Sequence, residues 1–184
     1  MAMDKLLASL RRSPAVDEFI VNDQRWQHRF RNLVSHEERE RMGRETTATV
    51  FVDRKRGRGH SSFSPSRQQP AEPLLRDSVQ RALGALGPPW RLPPPAAPAR
   101  VQVHDPSWLS NPNQALDMVV EELVAALPSD MRLLEGSVHF ESRTTHVNLS
   151  NGFDNQYPSN DLQERAKQNA SGGARDPLNF HVRS

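Results

Sequence analysis

The chain of 184 residues contains no cysteine. Disulfides, thiolate zinc sites and cysteine nucleophiles are therefore excluded from its chemistry. No apolar run approaches the ~20 residues that a membrane-spanning helix needs. The apolar stretch at the amino terminus is too short for a signal peptide and is interrupted by Asp4. We therefore expect a cytoplasmic protein without a membrane partner.

Apolar residues are also scarce, at 35% of the chain, which is below the usual range for a packed domain. The 15 prolines and 9 glycines occur in clusters, so the core must form from a subset of the chain. The 24 lysines and arginines nearly balance 22 acidic residues, and only Lys5, Lys55 and Lys167 are lysines. An excess of arginine suits phosphate recognition, and it is equally typical of a GC-rich genome.

The pattern of apolar residues predicts an α+β fold in which an antiparallel β-meander packs against two amphipathic helices. A short helix over Asp4–Arg12 precedes the meander. Alternation and β-branched residues predict its strands, with a turn at Asn22-Asp23 and a polar connection over Ser35–Arg44. The predicted strands are Val16–Asn22, Trp26–Leu33, Thr46–Val52 and Arg58–Phe63.

Helical spacing of apolar residues predicts the two packing helices at Leu74–Leu86 and Pro112–Leu127. A hairpin follows, with strands at Glu135–Ser142 and Thr144–Ser150, and Asn151-Gly152 predicts a turn after it. We expect one domain over residues 1–157, with a Pro-rich exposed linker at 87–99 inside it. Residues 158–184 are polar and have few apolar anchors, which predicts a disordered tail.

No catalytic motif is complete. His36-Glu37-Glu38-Arg39-Glu40 begins like a zinc-peptidase helix but lacks the second histidine one turn on, so a charged loop is the better interpretation. His139 and His146 lie on the two predicted hairpin strands, where a polar cross-strand pair is favoured over a metal site. The sequence therefore predicts no catalytic residue, no metal ligand and no cofactor.

One basic cluster, which consists of Arg54, Lys55, Arg56 and Arg58, lies in a predicted hairpin turn. With the arginines around Trp26 and Phe30 it can form a nucleic-acid surface, since phosphate contacts dominate non-specific affinity. The acidic run that contains Glu37, Glu38 and Glu40 reduces the positive electrostatic potential of this surface.

In their order, these elements resemble the N-terminal domain of the TldD/PmbA family of metallopeptidase-related proteins, also called modulators of DNA gyrase. The resemblance covers about residues 4–157. It is carried by Arg29-Phe30-Arg31-Asn32-Leu33 with Glu37-Glu38, by the strand, polar turn and return strand over Thr47–Ser62, and by Asn148-Leu149-Ser150-Asn151-Gly152. Family members are more than twice as long, and their metal-binding motif lies in a C-terminal domain that has no counterpart here. No catalytic or metal-binding residue can therefore be transferred to this chain.

The resemblance implies a non-catalytic domain or subunit that helps a metallopeptidase partner to bind or process peptide or unfolded substrate. It implies a bacterial hetero-oligomer, although a homo-oligomer also remains open. An extended peptide can add to a sheet edge, and the candidate contact residues are Trp26, Arg29, Phe30 and Arg31. The alternative is a nucleic-acid-associated protein that uses the basic hairpin.

Overall fold

A computed structural model describes residues 3–55, 57–66, 70–85, 87–88, 90–97, 106–127 and 131–170. Its four helices are α1 (Met3–Arg12), α2 (Ala71–Gly84), α3 (Pro106–Ser110) and α4 (Pro112–Ala125). Its five strands are β1 (Glu18–Asn32), β2 (Glu38–Arg54), β3 (Gly57–Phe63), β4 (Met131–Leu149) and β5 (Asp154–Ala170). The strands form one antiparallel sheet in the order β3-β2-β1-β4-β5, which confirms the α+β class.

Strand β1 is continuous where the sequence predicts a turn. Asp23, in the predicted Asn22-Asp23 turn, lies inside the strand with only 4% of its surface exposed. Its carboxylate accepts hydrogen bonds from the Arg44 guanidinium at 2.8 and 2.9 Å and from the Thr46 hydroxyl at 2.7 Å. Burial raises the pKa of Asp23, but these contacts outweigh burial and lower it. The predicted turn is wrong because side chains of β2 satisfy the buried carboxylate.

Strand β4 is likewise one element, so the predicted hairpin between Glu135–Ser142 and Thr144–Ser150 is wrong. The polar Ser142-Arg143 pair that suggested a turn lies within the strand, where Arg143 pairs with Glu141 at 2.5 Å. His139 and His146 therefore lie on the same strand and do not form a cross-strand pair. The turn predicted at Asn151-Gly152 is present, with Gly152 at a φ of 95°.

Strand β5 runs to Ala170, well into the segment that the sequence predicts to be disordered from Pro158 onward. Over Pro158–Ala170 that prediction is corrected. Leu162 is the apolar anchor, since only 3% of its surface is exposed. A strand needs few apolar residues when its backbone hydrogen bonds are made by a neighbouring strand. Residues 171–184 lie outside the described residues.

The chain forms two compact units. Unit one comprises residues 1–25, 44–100 and 145–157, and unit two comprises residues 26–43, 101–144 and 158–184. The long strands β1, β2, β4 and β5 contribute residues to both units.

The core of unit one lies between the helices α1 and α2 and one face of the sheet. Leucines at helical spacing in α1 supply three of its most buried side chains. Alternate residues of β1 and β2 supply the facing layer, as the period of two in a strand requires. Its principal members are Leu6, Leu10, Val21, Ala48, Val50, Leu75 and Ala82.

Unit two has a smaller core beneath α4. Asn111 caps this helix by accepting a hydrogen bond from the backbone N–H of Gln114, and Pro112 occupies its first turn. The apolar stripe of α4 packs on alternate residues of β4 and on β5. The buried members are Leu116, Val119, Val138, Phe140 and Leu162. No described helix has both the length and the apolar character needed to cross a membrane.

Gly59 allows α2 to pack directly on β3. A Cβ atom built there would lie 1.7 Å from the Ala82 carbonyl oxygen and 2.5 Å from that of Ala85. These are backbone atoms, so a side chain at Gly59 cannot be accommodated unless the helix moves. Gly84, at the end of the same helix, has no atom within 4 Å of such a Cβ.

We expect Gly59→Ala to destabilise the protein by about 1–3 kcal/mol or more, as overpacking of a filled site does. Gly84→Ala, the matched control, should be neutral or stabilise by up to about 1 kcal/mol, because alanine favours the helix. Urea unfolding of both variants measures the difference. Equal stabilities would show that α2 does not contact β3 as described.

Candidate functional site

Trp26 and Phe30 lie in unit two on the face of the sheet opposite α4. The indole ring of Trp26 lies over Gly43 of β2, and a Cβ atom at Gly43 would come within 2.3 Å of the ring. The ring of Phe30 meets His139 edge to face, with centroids 5.0 Å apart. Both aromatic side chains are half-buried. The missing side chain of Gly43 thus lets an aromatic ring from β1 extend across β2.

Arg29 and Arg31 alternate with these aromatics and contact α4 on the other face. Arg29 donates a hydrogen bond to Asn113 and pairs with Glu40 at 3.4 Å. Arg31 pairs with Asp117 and, through Nε, with Glu38 at 2.7 Å. The hydrogen bond to Asp117 is the main cause that raises the pKa of Arg31. The four predicted peptide contacts therefore do not form one surface, since the arginines hold α4 to the sheet.

The first half of β2 is an edge of the sheet within the described part of the chain. Strand β3 pairs with β2 only from Ala48 to Arg54. The preceding stretch, Glu38–Thr47, is mostly exposed, and Met42 is 73% exposed. A row of backbone N–H and C=O groups beside Trp26 is therefore available to pair with an extended chain.

The predicted nucleic-acid site is divided by burial. Arg54 and Lys55 are exposed, and Arg56 lies outside the described residues. The side chain of Arg58 is only 1% exposed and faces the interior of unit one. Arg58 therefore cannot reach a phosphate backbone, so the predicted residues do not form one exposed surface.

Arg58 is instead the centre of a buried cluster in unit one. Its guanidinium donates hydrogen bonds to Glu18 and, through Nε at 2.7 Å, to Asp53. The rings of Phe51 and Trp90 each lie with their centroid 5.5 Å from its central carbon. Such contacts between a cation and aromatic faces are strongest where water is excluded.

Protonation of the cluster follows from these contacts. Burial lowers the pKa of Arg58, but its hydrogen bonds to Glu18 and Asp53 outweigh burial and raise it. The hydrogen bond from Arg58 is the main cause that lowers the pKa of Asp53. Arg91, 3.0 Å from Asp53, is mostly exposed. The sequence alone does not indicate this cluster, because Glu18 lies on another strand, 40 residues from Arg58.

The cluster also holds the Pro-rich segment that the sequence predicts to be an exposed linker. We refer to its described residues, 87–88 and 90–97, as the strap. Trp90 of the strap packs edge to face on Phe51 at 4.7 Å. Hydrogen bonds attach the strap at three further points. The backbones of Gly87 and Arg58 exchange bonds of 2.9 and 3.2 Å. The Leu92 N–H donates to the Glu18 carboxylate at 3.0 Å, and the side-chain amide of Asn151 donates to the Pro93 carbonyl at 2.6 Å. Most residues of the strap are exposed, and these contacts nevertheless attach it to the rest of unit one.

The histidines singled out in the sequence are not gathered into a group of metal-binding side chains in the described ranges. His36 lies in the turn between β1 and β2 at a positive φ of 55°, not on a helix. His146 pairs with Asp154. Among the residues described, no three His, Cys, Asp or Glu side chains converge so as to hold a metal ion.

Comparison with solved structures places this fold in a known class. TldE from Thermococcus kodakarensis superimposes with a TM-score of 0.66 over 100% of this chain, at 13% identity. Two proteins described as proposed modulators of DNA gyrase, from Thermotoga maritima and Bacteroides thetaiotaomicron, have TM-scores of 0.60 and 0.59 over 95% of the chain, at 11% and 15% identity. No family model and no curated protein matches the sequence.

The chain therefore has the fold found in TldD/PmbA-type proteins, which confirms the resemblance seen in the sequence at the level of fold. It spans only 40–43% of the length of these solved structures. At these identities the likeness establishes the fold and does not transfer an activity.

We expect Arg58→Met to lower the free energy of unfolding by about 3–5 kcal/mol, because Glu18 and Asp53 lose their buried counter-charge. The exposed Arg91 is the matched control, and Arg91→Ala should cost about 0–1 kcal/mol. Chemical denaturation of the two variants measures this contrast. A loss from Arg58→Met no larger than that from Arg91→Ala would contradict a central role for the buried cation.

Proposed function

We propose that this chain is a non-catalytic TldD/PmbA-like domain or subunit that binds extended peptide for a metallopeptidase partner. The observation that carries the proposal is the likeness of fold over nearly the whole chain to TldE and to two gyrase-modulator proteins. The proposal is also supported by the exposed sheet edge at Glu38–Gly43, which lies in unit two beside the half-buried Trp26.

Peptide addition at the Glu38–Gly43 edge of unit two is supported by its geometry. An extended peptide gains affinity from backbone hydrogen bonds and specificity from alternate side chains. On the face away from α4, those side chains would meet the Trp26 ring, which the absence of a side chain at Gly43 brings over β2. Phe30 extends this aromatic surface along β1. On the other face, ion pairs with Arg29 and Arg31 fix the conformation of Glu38 and Glu40.

The charges of this edge argue against pairing with a second copy. Residues 38–41 read Glu-Arg-Glu-Arg, and charged side chains are a device by which proteins keep sheet edges from pairing indiscriminately. A short peptide does not bring a complete second edge with it. We infer that the edge selects single extended segments rather than another folded sheet.

The metallopeptidase partner is inferred from the family resemblance. Family complexes pair a metal-bearing subunit with a metal-free one around an enclosed chamber. This chain spans less than half of its structural neighbours, and its described residues lack a group of three metal ligands. In this proposal the chain supplies binding surface and the partner supplies the hydrolytic centre.

A fluorescein-labelled, unstructured peptide of the length of Glu38–Thr47 should bind the full chain and raise the fluorescence anisotropy. Trp26→Ala should weaken binding at least about tenfold, because anchoring aromatics at binding sites contribute about 2 kcal/mol or more. Met118→Ala, which removes an exposed apolar residue of α4, is the matched control and should leave the affinity unchanged.

A peptide of the same sequence with alternate residues N-methylated tests the mode of binding. Methylation of the alternate N–H groups that face β2 should abolish binding. Methylation of the other alternate set, which faces away from β2, should leave binding intact. Equal binding by both methylated peptides would contradict edge pairing, and failure of every peptide to bind would contradict the binding role itself.

The partnership has its own test. Affinity purification of the chain from its source cells should recover a protein that carries a His-Glu zinc motif. Addition of the chain to that purified partner should increase cleavage of an unfolded substrate, and Trp26→Ala should reduce the increase. Recovery of nucleic acid without such a protein would instead support the alternative role as a nucleic-acid-associated protein.

A further inference from the structure

Two histidines from different strands meet on the face of unit two that is opposite α4. Nε2 of His28, on β1, lies 3.4 Å from Nδ1 of His139, on β4. Their ring centroids are 5.5 Å apart, with an angle of 35° between the rings. The sequence does not indicate this pair, because the two residues are far apart in the chain and the sequence places His139 in a hairpin with His146.

A hydrogen bond explains this spacing poorly. Hydrogen bonds to nitrogen donors have a preferred length of about 2.9–3.0 Å, so 3.4 Å lies at the weak end of the range. Zinc binds imidazole nitrogen at about 2.0–2.1 Å with tetrahedral angles, which places two ligand nitrogens about 3.3–3.4 Å apart. The observed separation is thus the edge length of a zinc coordination tetrahedron.

Ser137 can fix the proton of His139 on the other ring nitrogen. Its hydroxyl oxygen lies 3.1 Å from Nε2 of His139. In the tautomer in which Nε2–H donates to this oxygen, Nδ1 carries a lone pair directed toward His28. An outer hydrogen bond of this kind is how proteins orient a metal-binding imidazole.

We propose that His28 and His139 form a two-histidine site for Zn²⁺, with Ser137 as a positioning residue. No described group of three His, Cys, Asp or Glu side chains surrounds them, so water completes the coordination. Structural zinc sites are closed by four protein ligands, whereas this one is open. It is therefore an exchangeable clamp that ties β1 to β4 beside Phe30, and it does not depend on the proposed peptide binding.

The test is calorimetric titration of ZnCl₂ into the full-length, untagged chain after treatment with EDTA. One Zn²⁺ should bind per chain, and His28→Ala and His139→Ala should each weaken binding at least about tenfold, since each removes one of two protein ligands. The double variant, which removes both protein ligands, should bind more weakly than either single variant. His60→Ala, which removes an exposed histidine of unit one, is the matched control and should bind as the original chain does.

Two further readouts protect the test against misfolded variants. Ser137→Ala retains both imidazoles and should weaken Zn²⁺ binding by about tenfold, as the loss of an outer-shell partner does. Co²⁺ substituted at the site should show the intense visible absorption of tetrahedral coordination, and that absorption should be absent in His139→Ala. Thermal melting in EDTA establishes that each variant is folded.

Three results would overturn the proposal. The first is the absence of saturable binding at millimolar Zn²⁺. The second is binding that both His28→Ala and His139→Ala leave intact, which would indicate adventitious surface sites. The third is loss of binding in His146→Ala alone, which would assign the metal to the His146–Asp154 pair.

Discussion

A single buried positive charge organises unit one. A guanidinium removed from water costs several kcal/mol unless opposite charges and hydrogen bonds surround it, so the position of Arg58 dictates what must lie nearby. Glu18 from β1 and Asp53 from β2 supply the charge, and Phe51 and Trp90 exclude the solvent. Because Glu18 also accepts a hydrogen bond from Leu92, the same ion pair attaches the strap to the sheet. The need to neutralise the buried guanidinium of Arg58 thus links strands β1 and β2 to the course of the Pro-rich segment.

In unit two, the two faces of the sheet carry different kinds of side chain. The period of two along β1 sends Arg29 and Arg31 to the helix and Trp26, His28 and Phe30 to the opposite face. The helix side is occupied by ion pairs and a small apolar core. The opposite side carries the aromatic rings and two imidazoles. Functional proposals therefore belong to that face, and the arginines that the sequence suggested as ligand contacts belong to the framework.

The elements that could be predicted from the sequence are those with a strong local signal. The leucines of α1, the β-branched run at Thr46–Val52 and the spacing of α4 each specify their structure within a few turns or residues. Two of the failures share one cause, which is satisfaction of a polar side chain by residues on other strands. Asp23 resembles a turn residue until Arg44 and Thr46 are brought beside it, and Arg58 resembles a phosphate ligand until two carboxylates surround it. At the candidate site, alternation correctly grouped Trp26 with Phe30, but only the neighbouring strands reveal Gly43 and His139.

The strap has a consequence for the unfolded chain as well as for the folded one. Proline fixes φ near −65°, so the run Pro93-Pro94-Pro95 is already extended before folding begins. Little conformational freedom is lost when such a segment settles on the sheet, and part of its stabilising effect therefore arises in the unfolded ensemble. A few attachment points suffice to hold a stiff segment that would need many if it were flexible. Apart from Trp90, the attachment of this segment therefore depends on the stiffness of its backbone rather than on the identity of each side chain.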